Sequence, residues 1–378
     1  MAIQLFVPTF DVDGCLNEIR DCLEKGWTGL GYKTLEFEEE WKKYNDIPFA
    51  HYLNSATVGL NLAFEMFKEH YNWNGNDEVI TTPLTFVSTN HSILLAGLQP
   101  VFADIDDTLC LDPKSVEDLI TEKTRAVLFV GIGGNTGRFE KITEICKRHN
   151  LKLILDAAHM SGTRMNGQSP AKLADVSVFS FQAVKNLPTA DSGMICFKEA
   201  IFDEIVRRKT WLGINKDTYN RFGEGGNYKW KYDVEYVGYK YHGNSIMAAI
   251  GLVQLKQLDK DNLYRRQICE LYDKAFSIYK DEIKLVEIPD NCESARHLYQ
   301  IIVKDRDGLM EHLNKNDIFP GVHYVDNTEY RMYAYAKGSC PNAMYVSNHV
   351  LSLPLHLRLT NEDVQKIIDA VTEYVSDK

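Results

Sequence analysis

Leu151-Lys152-Leu153-Ile154-Leu155-Asp156-Ala157-Ala158-His159 reads as a short apolar strand that ends in a carboxylate, followed by small residues. Strands of this kind are buried on both faces in a sheet covered by helices, and the ligands of such sheets gather at the carboxyl ends of the strands. Outward from it, similar runs fall at 78–82, 100–105 and 125–130, and later at 176–181 and 193–197. Helical spacing fills the gaps: Leu60, Ala63, Phe64 and Phe67 share a stripe over 57–69, and Ile142, Ile145 and Cys146 share another. The alternation predicts an α/β fold around a large, mostly parallel sheet. The last two runs are close enough in sequence to be antiparallel or mixed neighbours at its edge.

Beyond Gly238 the pattern changes. A long apolar-periodic helix is expected over 245–258, followed by Arg265 and Arg266 and more helix to about 279, together bridging to a smaller C-terminal α+β domain. Thr360-Asn361-Glu362-Asp363 has the form of a capping box, and Val364, Ile367, Ile368 and Val371 behind it form a face that should pack on that domain. The expected division is 1–244 and 245–378.

The 378 residues carry 53 acidic and 42 basic side chains, a net charge of −11. That sign repels phosphate backbones and anionic membranes, so nucleic acid and membrane are not expected partners. No run approaches the roughly 20 apolar residues of a membrane span. The opening Met-Ala-Ile-Gln-Leu-Phe-Val has no basic segment and stops at Pro8, which is not the form of a secretion signal. The eight cysteines are scattered with no Cys-x-x-Cys pair, so neither a metal site nor a disulfide framework is expected. A cytoplasmic enzyme with reduced thiols fits these features.

Three features carry chemistry. Asp156 alone reads better as a strand-end residue capping the next turn. Lys185 lies 29 residues further on, just after the 176–181 run and among uncharged neighbours, where desolvation would lower its pKa; alone it reads as a loop lysine. Asn54-Ser55-Ala56-Thr57 opens the first helix after a short strand over 49–53, and its hydroxyls and free N–H groups suit a phosphate, although Ser55 or Thr57 could simply cap the helix. A phosphate cradle, a carboxylate for a ring nitrogen and a desolvated lysine are together what pyridoxal 5′-phosphate (PLP) chemistry requires of a protein.

On those residues the chain resembles the sugar-nucleotide aminotransferases of the DegT/DnrJ/EryC1/StrS family, of fold-type I, aspartate aminotransferase-like architecture. The likeness extends through Thr82-Pro83-Leu84-Thr85-Phe86-Val87-Ser88-Thr89, Val101-Phe102-Ala103-Asp104-Ile105-Asp106, Gly238-Tyr239-Lys240-Tyr241, Val322-His323-Tyr324 and Leu353-Pro354-Leu355. The resemblance implies that Lys185 forms the Schiff base with PLP and that Asp156 partners the pyridinium nitrogen. It also implies that Phe86 stacks on the ring, that His159 lies near the phenolic oxygen, and that Ser180, Thr57 and the Ala56 backbone hold the phosphate. Lys240 stands where many members have an Asn that reaches the phosphate from the neighbouring subunit, which implies a homodimer with shared sites. His323 and Tyr324, in the segment 323–328, are the expected contacts to the sugar nucleotide, although a strand followed by a polar turn explains that segment equally well. The implied reaction moves an amino group, by family habit from glutamate, to a nucleotide-linked 3-keto or 4-keto deoxy sugar for surface polysaccharide such as O-antigen or for natural-product glycosides.

The chain departs from the family pattern at Ala56, Gln182, Lys240 and Gly131-Ile132-Gly133-Gly134. The last of these invites a rival reading, an NAD(P)-dependent oxidoreductase. Gly131-x-Gly133 follows a strand, but the dinucleotide fingerprint needs glycine at Thr136. A non-catalytic sugar-sensing relative would have no need of both Lys185 and Asp156. A dehydratase relative would have histidine in place of Lys185.

Overall fold

The computed structural model describes residues 2–214 and 233–376. The strands in chain order are β1 (Phe49–Leu53), β2 (Glu78–Thr81), β3 (Gln99–Phe102), β4 (Thr124–Val130), β5 (Lys152–Asp156), β6 (Arg164–Met165), β7 (Val176–Ser180) and β8 (Gly193–Phe197). All but β6 join one sheet, in the order β1-β8-β7-β5-β4-β2-β3. Neighbours from β3 to β7 are parallel, and β8 alone runs against both β7 and β1. The cause lies in the connections. Long crossovers, most of them helical, join the parallel strands, whereas β7 and β8 are joined by a short loop with no helix that returns the chain antiparallel.

The expected strand over 100–105 is corrected to one that ends at Phe102. Asp104 leaves the ladder and spends its carboxylate on the N–H groups of Ile105, Asn342 and Ala343. Successive strand residues point to opposite faces. Phe129 and Phe179 therefore meet Phe37, Trp41 and Phe181 on one side of the sheet, while Leu128 and Val178 meet Leu60, Phe64 and Phe202 on the other.

The helix expected over 245–258 is two helices, Ser245–Leu255 and Leu258–Phe276. The N–H groups of Lys256 and Gln257 turn back to the carbonyls three residues earlier, which tightens and breaks the ladder. The first helix packs on Val12–Glu24 and Tyr32–Asn45; a Cβ on Gly251 would lie 2.7 Å from the Phe37 ring, so the close approach requires glycine there. The second helix does the bridging. Leu258 lies in the core under the large sheet, and Ile268, Tyr272 and Phe276 lie in a separate core.

That separate core gathers around β9 (Ile283–Leu285), β11 (Tyr299–Val303) and β12 (Val350–Leu353), in the order β12-β11-β9. Between them β10 (Cys292–Glu293) reaches across to pair with β6. The closing helix Asn361–Ser376 begins with the expected box: the Thr360 N–H donates to Asp363 Oδ2, and the Asp363 N–H donates to Thr360 Oγ1. It buries Val364, Ile367, Ile368 and Val371 in this second core. Ile3 joins the same core and bonds to Asp317 and Phe319. Among the described residues no helix is long and apolar enough to cross a membrane, and no three His, Cys, Asp or Glu side chains cluster to hold a metal.

Candidate active site

The carboxyl ends of β5 and β7, the N-terminus of the helix Ala56–Tyr71 and the segment 297–324 enclose a cavity of about 490 Å³. Asp156 closes β5 and is 4% exposed. Its Oδ2 accepts from the Thr89 hydroxyl at 2.7 Å, and its Oδ1 accepts from the Ala158 N–H at 3.1 Å. Burial pushes the carboxyl above its ordinary value, while these two donors and Lys185 act in the opposite direction. Lys185 stands in the loop after β7, where its own N–H bonds to the Gln182 carbonyl. Burial draws its ammonium down to about 8, partly offset by Asp156. A lysine so placed is largely protonated at neutral pH but within reach of its neutral form.

Ser55 caps the helix Ala56–Tyr71, accepting from the Val58 N–H, and leaves the first N–H groups of the helix facing the cavity beside Thr57. That end of the helix is seated directly on β8, because a Cβ on Gly193 would lie 2.6 Å from the Ala56 nitrogen. Ser180, the last residue of β7, adds a hydroxyl to the same cavity. Phe86 is 58% exposed and lines the opening, its ring 6.0 Å from that of Tyr324. An apolar ring left bare at a cavity mouth is a ready face for a planar ligand.

His159 accepts from the Gly133 N–H through Nδ1, which puts its proton on Nε2, and Nε2 faces the Tyr324 hydroxyl at 3.1 Å. Both nitrogens are thus engaged within the chain, and the ring lies 4.3 Å from that of His297. Burial, with Lys185 and His323, keeps it well below its ordinary pKa and neutral. His323 bonds to Ser352 Oγ, and burial, reinforced by Lys185, brings it down to about 4. The glycines of the rival reading serve this arrangement instead. Gly133 and Gly134 take positive φ, and a Cβ on Gly134 would press on Ser294, Arg296 and the His159 carbonyl within 3.1 Å.

Of the ten expected site residues, Ala56, Thr57, Phe86, Asp156, His159, Ser180, Lys185, His323 and Tyr324 line this one cavity. Lys240 does not. Its backbone runs beside Asn54, which donates to the Lys240 carbonyl, but its ammonium lies 3.6 Å over the Trp211 ring. Phe6 and His297 are wall residues that pattern reading missed, and Thr89, which ends the matched segment 82–89, was given no role by it. Thr89 could have been found from its place one turn after Phe86. Phe6 and His297, which stack at 5.5 Å, come from opposite ends of the chain and carry no local signal.

These residues fit PLP: an acid for the ring nitrogen, an amine for the aldehyde, a bare aromatic face, and N–H and hydroxyl donors for the phosphate. Fold and cavity together define a PLP-dependent aminotransferase of the fold-type I class. The model of the DegT/DnrJ/EryC1/StrS aminotransferase family matches residues 12–372, and the chain belongs to that family. It is 33% identical over 372 residues to the spore coat polysaccharide biosynthesis protein SpsC of Bacillus subtilis (strain 168), covering 95% of this chain and 94% of that one. The solved sugar aminotransferase CalS13 from Micromonospora echinospora superposes with a TM-score of 0.90 at 26% identity, over 98% of this chain and 99% of that one. A Streptococcus pneumoniae protein solved in its PLP form gives 0.89 at 26%, over 100% and 99% of the two chains; its pyridoxamine phosphate form gives 0.89 at 28%, over 98% and 99%.

Proposed function

We propose that this sugar aminotransferase takes an amino group from glutamate and delivers it to the 3-keto or 4-keto group of a deoxy sugar carried on a nucleoside diphosphate. The product would serve surface polysaccharide, a reading supported by the likeness to a spore coat polysaccharide protein. We place the enzyme in the cytoplasm, as a homodimer. The observation that carries the reading is the meeting of Lys185 and Asp156 in one cavity beside a free helix N-terminus.

When bound, PLP supplies an electron sink for the carbanion that forms at the amine-bearing carbon. Asp156, whose charged form Thr89 and the Ala158 N–H favour, would hold a proton on the ring nitrogen so that the sink operates. Lys185, lowered to about 8, would be the base that takes the proton from the donor's α-carbon and gives it back on the cofactor side, with Ala56, Thr57 and Ser180 as the residues that would hold the phosphate. With the keto sugar it moves the proton the other way. Phe86, His159, His323 and Tyr324 line the same cavity, and we assign His323 and Tyr324 to the substrate.

Incubating the PLP-loaded enzyme with glutamate and a panel of nucleotide-linked 3-keto and 4-keto sugars should give one amino sugar and equimolar 2-oxoglutarate. Amination of free keto acids alone, with no sugar of the panel accepted, overturns the reading.

A further inference from the structure

Two hydrogen-bonded relays, each anchored on the backbone, fix what His297 and Tyr324 offer to the cavity. The first begins at the Ser161 carbonyl, which can only accept and so takes an N–H of the Asn262 amide at 2.9 Å. The Asn262 oxygen is left to accept from Asn186 Nδ2 at 2.7 Å, and the same nitrogen donates to the Ala295 carbonyl at 2.6 Å. Both N–H groups of Asn186 are then committed, so its Oδ1 accepts, and His297 Nδ1, 2.9 Å away, carries the proton. Burial keeps His297 well below its ordinary pKa, so the ring is neutral and Nε2 holds a bare lone pair. Phe6 lies parallel to that ring at 5.5 Å, and the His159 ring is 4.3 Å away. Nε2 has no partner among the described residues and is not one of their sealed, unpartnered side-chain atoms, so it opens on the cavity that the ring lines. The second relay begins at the Gly133 N–H, which sets the tautomer of His159. The His159 Nε2–H is donated to the Tyr324 oxygen, and the Tyr324 proton is left for a ligand.

We propose that His297 Nε2 accepts a hydrogen bond from a hydroxyl of the keto sugar, and that this contact selects the sugar over the amino donor in a site that serves both. A buried acceptor is costly unless a donor reaches it. Glutamate and its keto acid cannot supply one: their carboxylates are ionised at neutral pH and only accept, and the glutamate amine is the group that reacts. A keto sugar presents a carbonyl, which accepts, and hydroxyls, which donate, matching the Tyr324 proton and the His297 lone pair. The His297 ring lies against His159, three residues beyond Asp156, at the reacting end of the cavity, where the sugar rather than its nucleotide must sit. The inference rests on the sugar aminotransferase reading and names what this wall recognises in the sugar.

The test compares the parent with His297→Phe, which keeps a ring beside Phe6 and removes the acceptor, and with His297→Gln, which restores an acceptor in its amide oxygen. Each half-reaction is measured alone, glutamate with the PLP form and the keto sugar with the pyridoxamine phosphate form. The ratio of sugar to glutamate kcat/KM should fall about 10- to 100-fold in the Phe variant and recover in part with Gln. Analogues of the sugar that each lack one hydroxyl extend the test to the parent, in case the Phe variant folds poorly. One of them should react about 10- to 100-fold more slowly than the full sugar with the parent, and no more slowly than the full sugar with a variant lacking the acceptor. Equal losses in both half-reactions would overturn the assignment, because the ring would then only hold the wall. So would a parent indifferent to every analogue, or an analogue whose deficit is the same in parent and Phe variant. A parent that aminates no keto sugar defeats the sugar reading and this inference with it, whereas one that aminates the sugar, with an unchanged ratio in the Phe variant, defeats this inference alone.

Discussion

Two donors, the Thr89 hydroxyl and the Ala158 N–H, favour the charged form of Asp156 against a burial that favours the neutral acid and raises its pKa. Thr89→Val removes the stronger of them, so the carboxyl should rise further and more of it should be neutral at pH 7, when it cannot hold a cationic ring nitrogen. Turnover should fall about 10- to 100-fold at pH 7, and the deficit should shrink as pH rises and the acid ionises again. Asp156→Asn should show no such recovery at any pH. The check is the pH profile of single-turnover reduction of the PLP absorbance by glutamate; a deficit independent of pH would give Thr89 some other task. At this scale the sequence was legible where chemistry and position coincide, as in a carboxylate at a strand end or a lysine after an apolar run. It was illegible where a residue acts through another. Thr89 is an ordinary helix threonine until the fold brings it beside a residue 67 positions away.

The strand that leads into Ser55-Ala56-Thr57 is β1, an edge strand, and its position depends on a buried charge network. Glu38, on the helix Tyr32–Asn45, accepts from the Tyr52 N–H at 2.8 Å and faces His51 at 2.9 Å, while Arg207 bonds to both Glu38 and the Ala50 carbonyl at 2.8 Å. Burial would push the Glu38 carboxyl up, but Arg207 and His51 outweigh it and hold the group at about 2. A folded pKa below the unfolded value stabilises the protein above the unfolded value, and that contribution fades as pH falls toward the folded one. Glu38→Gln should therefore cost about 3 kcal/mol at pH 7, with the gap to the parent closing between pH 4.5 and 2 in urea unfolding series. A gap that is constant across that range would mean that packing, not charge, holds the strand. Among elements, β1 and β8 were read to the residue because apolar runs with clear ends define them. The break at Lys256 and Gln257 was hidden, since Leu252, Leu255 and Leu258 continue the helical spacing straight through it. The glycines after β4 fit two turn chemistries until their neighbours, residues 294–298, were in place.

On the scale of the molecule, the cavity is a product of chain ends meeting: Phe6 stacks on His297, and His323 and Tyr324 close the wall opposite Phe86. No periodicity encodes contacts across some 290 residues, which is why this wall was the least legible part of the site. Lys240 extends the same logic beyond one chain. The segment that carries it is pinned beside β1, with the Asn54 N–H on the Tyr241 carbonyl and the Gly243 N–H on the Tyr52 carbonyl, so its position is set by the strand that leads into Ser55-Ala56-Thr57. Its ammonium nevertheless rests on the Trp211 ring, outside the cavity of its own chain, and forms no ion pair among the described residues. Tyr239 and Tyr241 stack beside it at 4.5 Å, an aromatic surface of the kind that favours burial against another protein. If a second copy brings this cation to the phosphate end of the neighbouring site, Lys240→Glu replaces an attraction with a repulsion and should remove activity while the chain still folds. Lys185→Ala should be inactive for a different reason, loss of the base. Mixed in equal amounts and allowed to exchange, the two inactive variants should regain activity, because each mixed dimer then contains one site with both lysines intact. With random pairing about half of the dimers are mixed and each has one working site, so recovery should approach about a quarter of the parent activity per chain. Native mass spectrometry verifies the exchange. No recovery in a sample shown to contain mixed dimers, or full activity of Lys240→Glu on its own, would confine each site to a single chain.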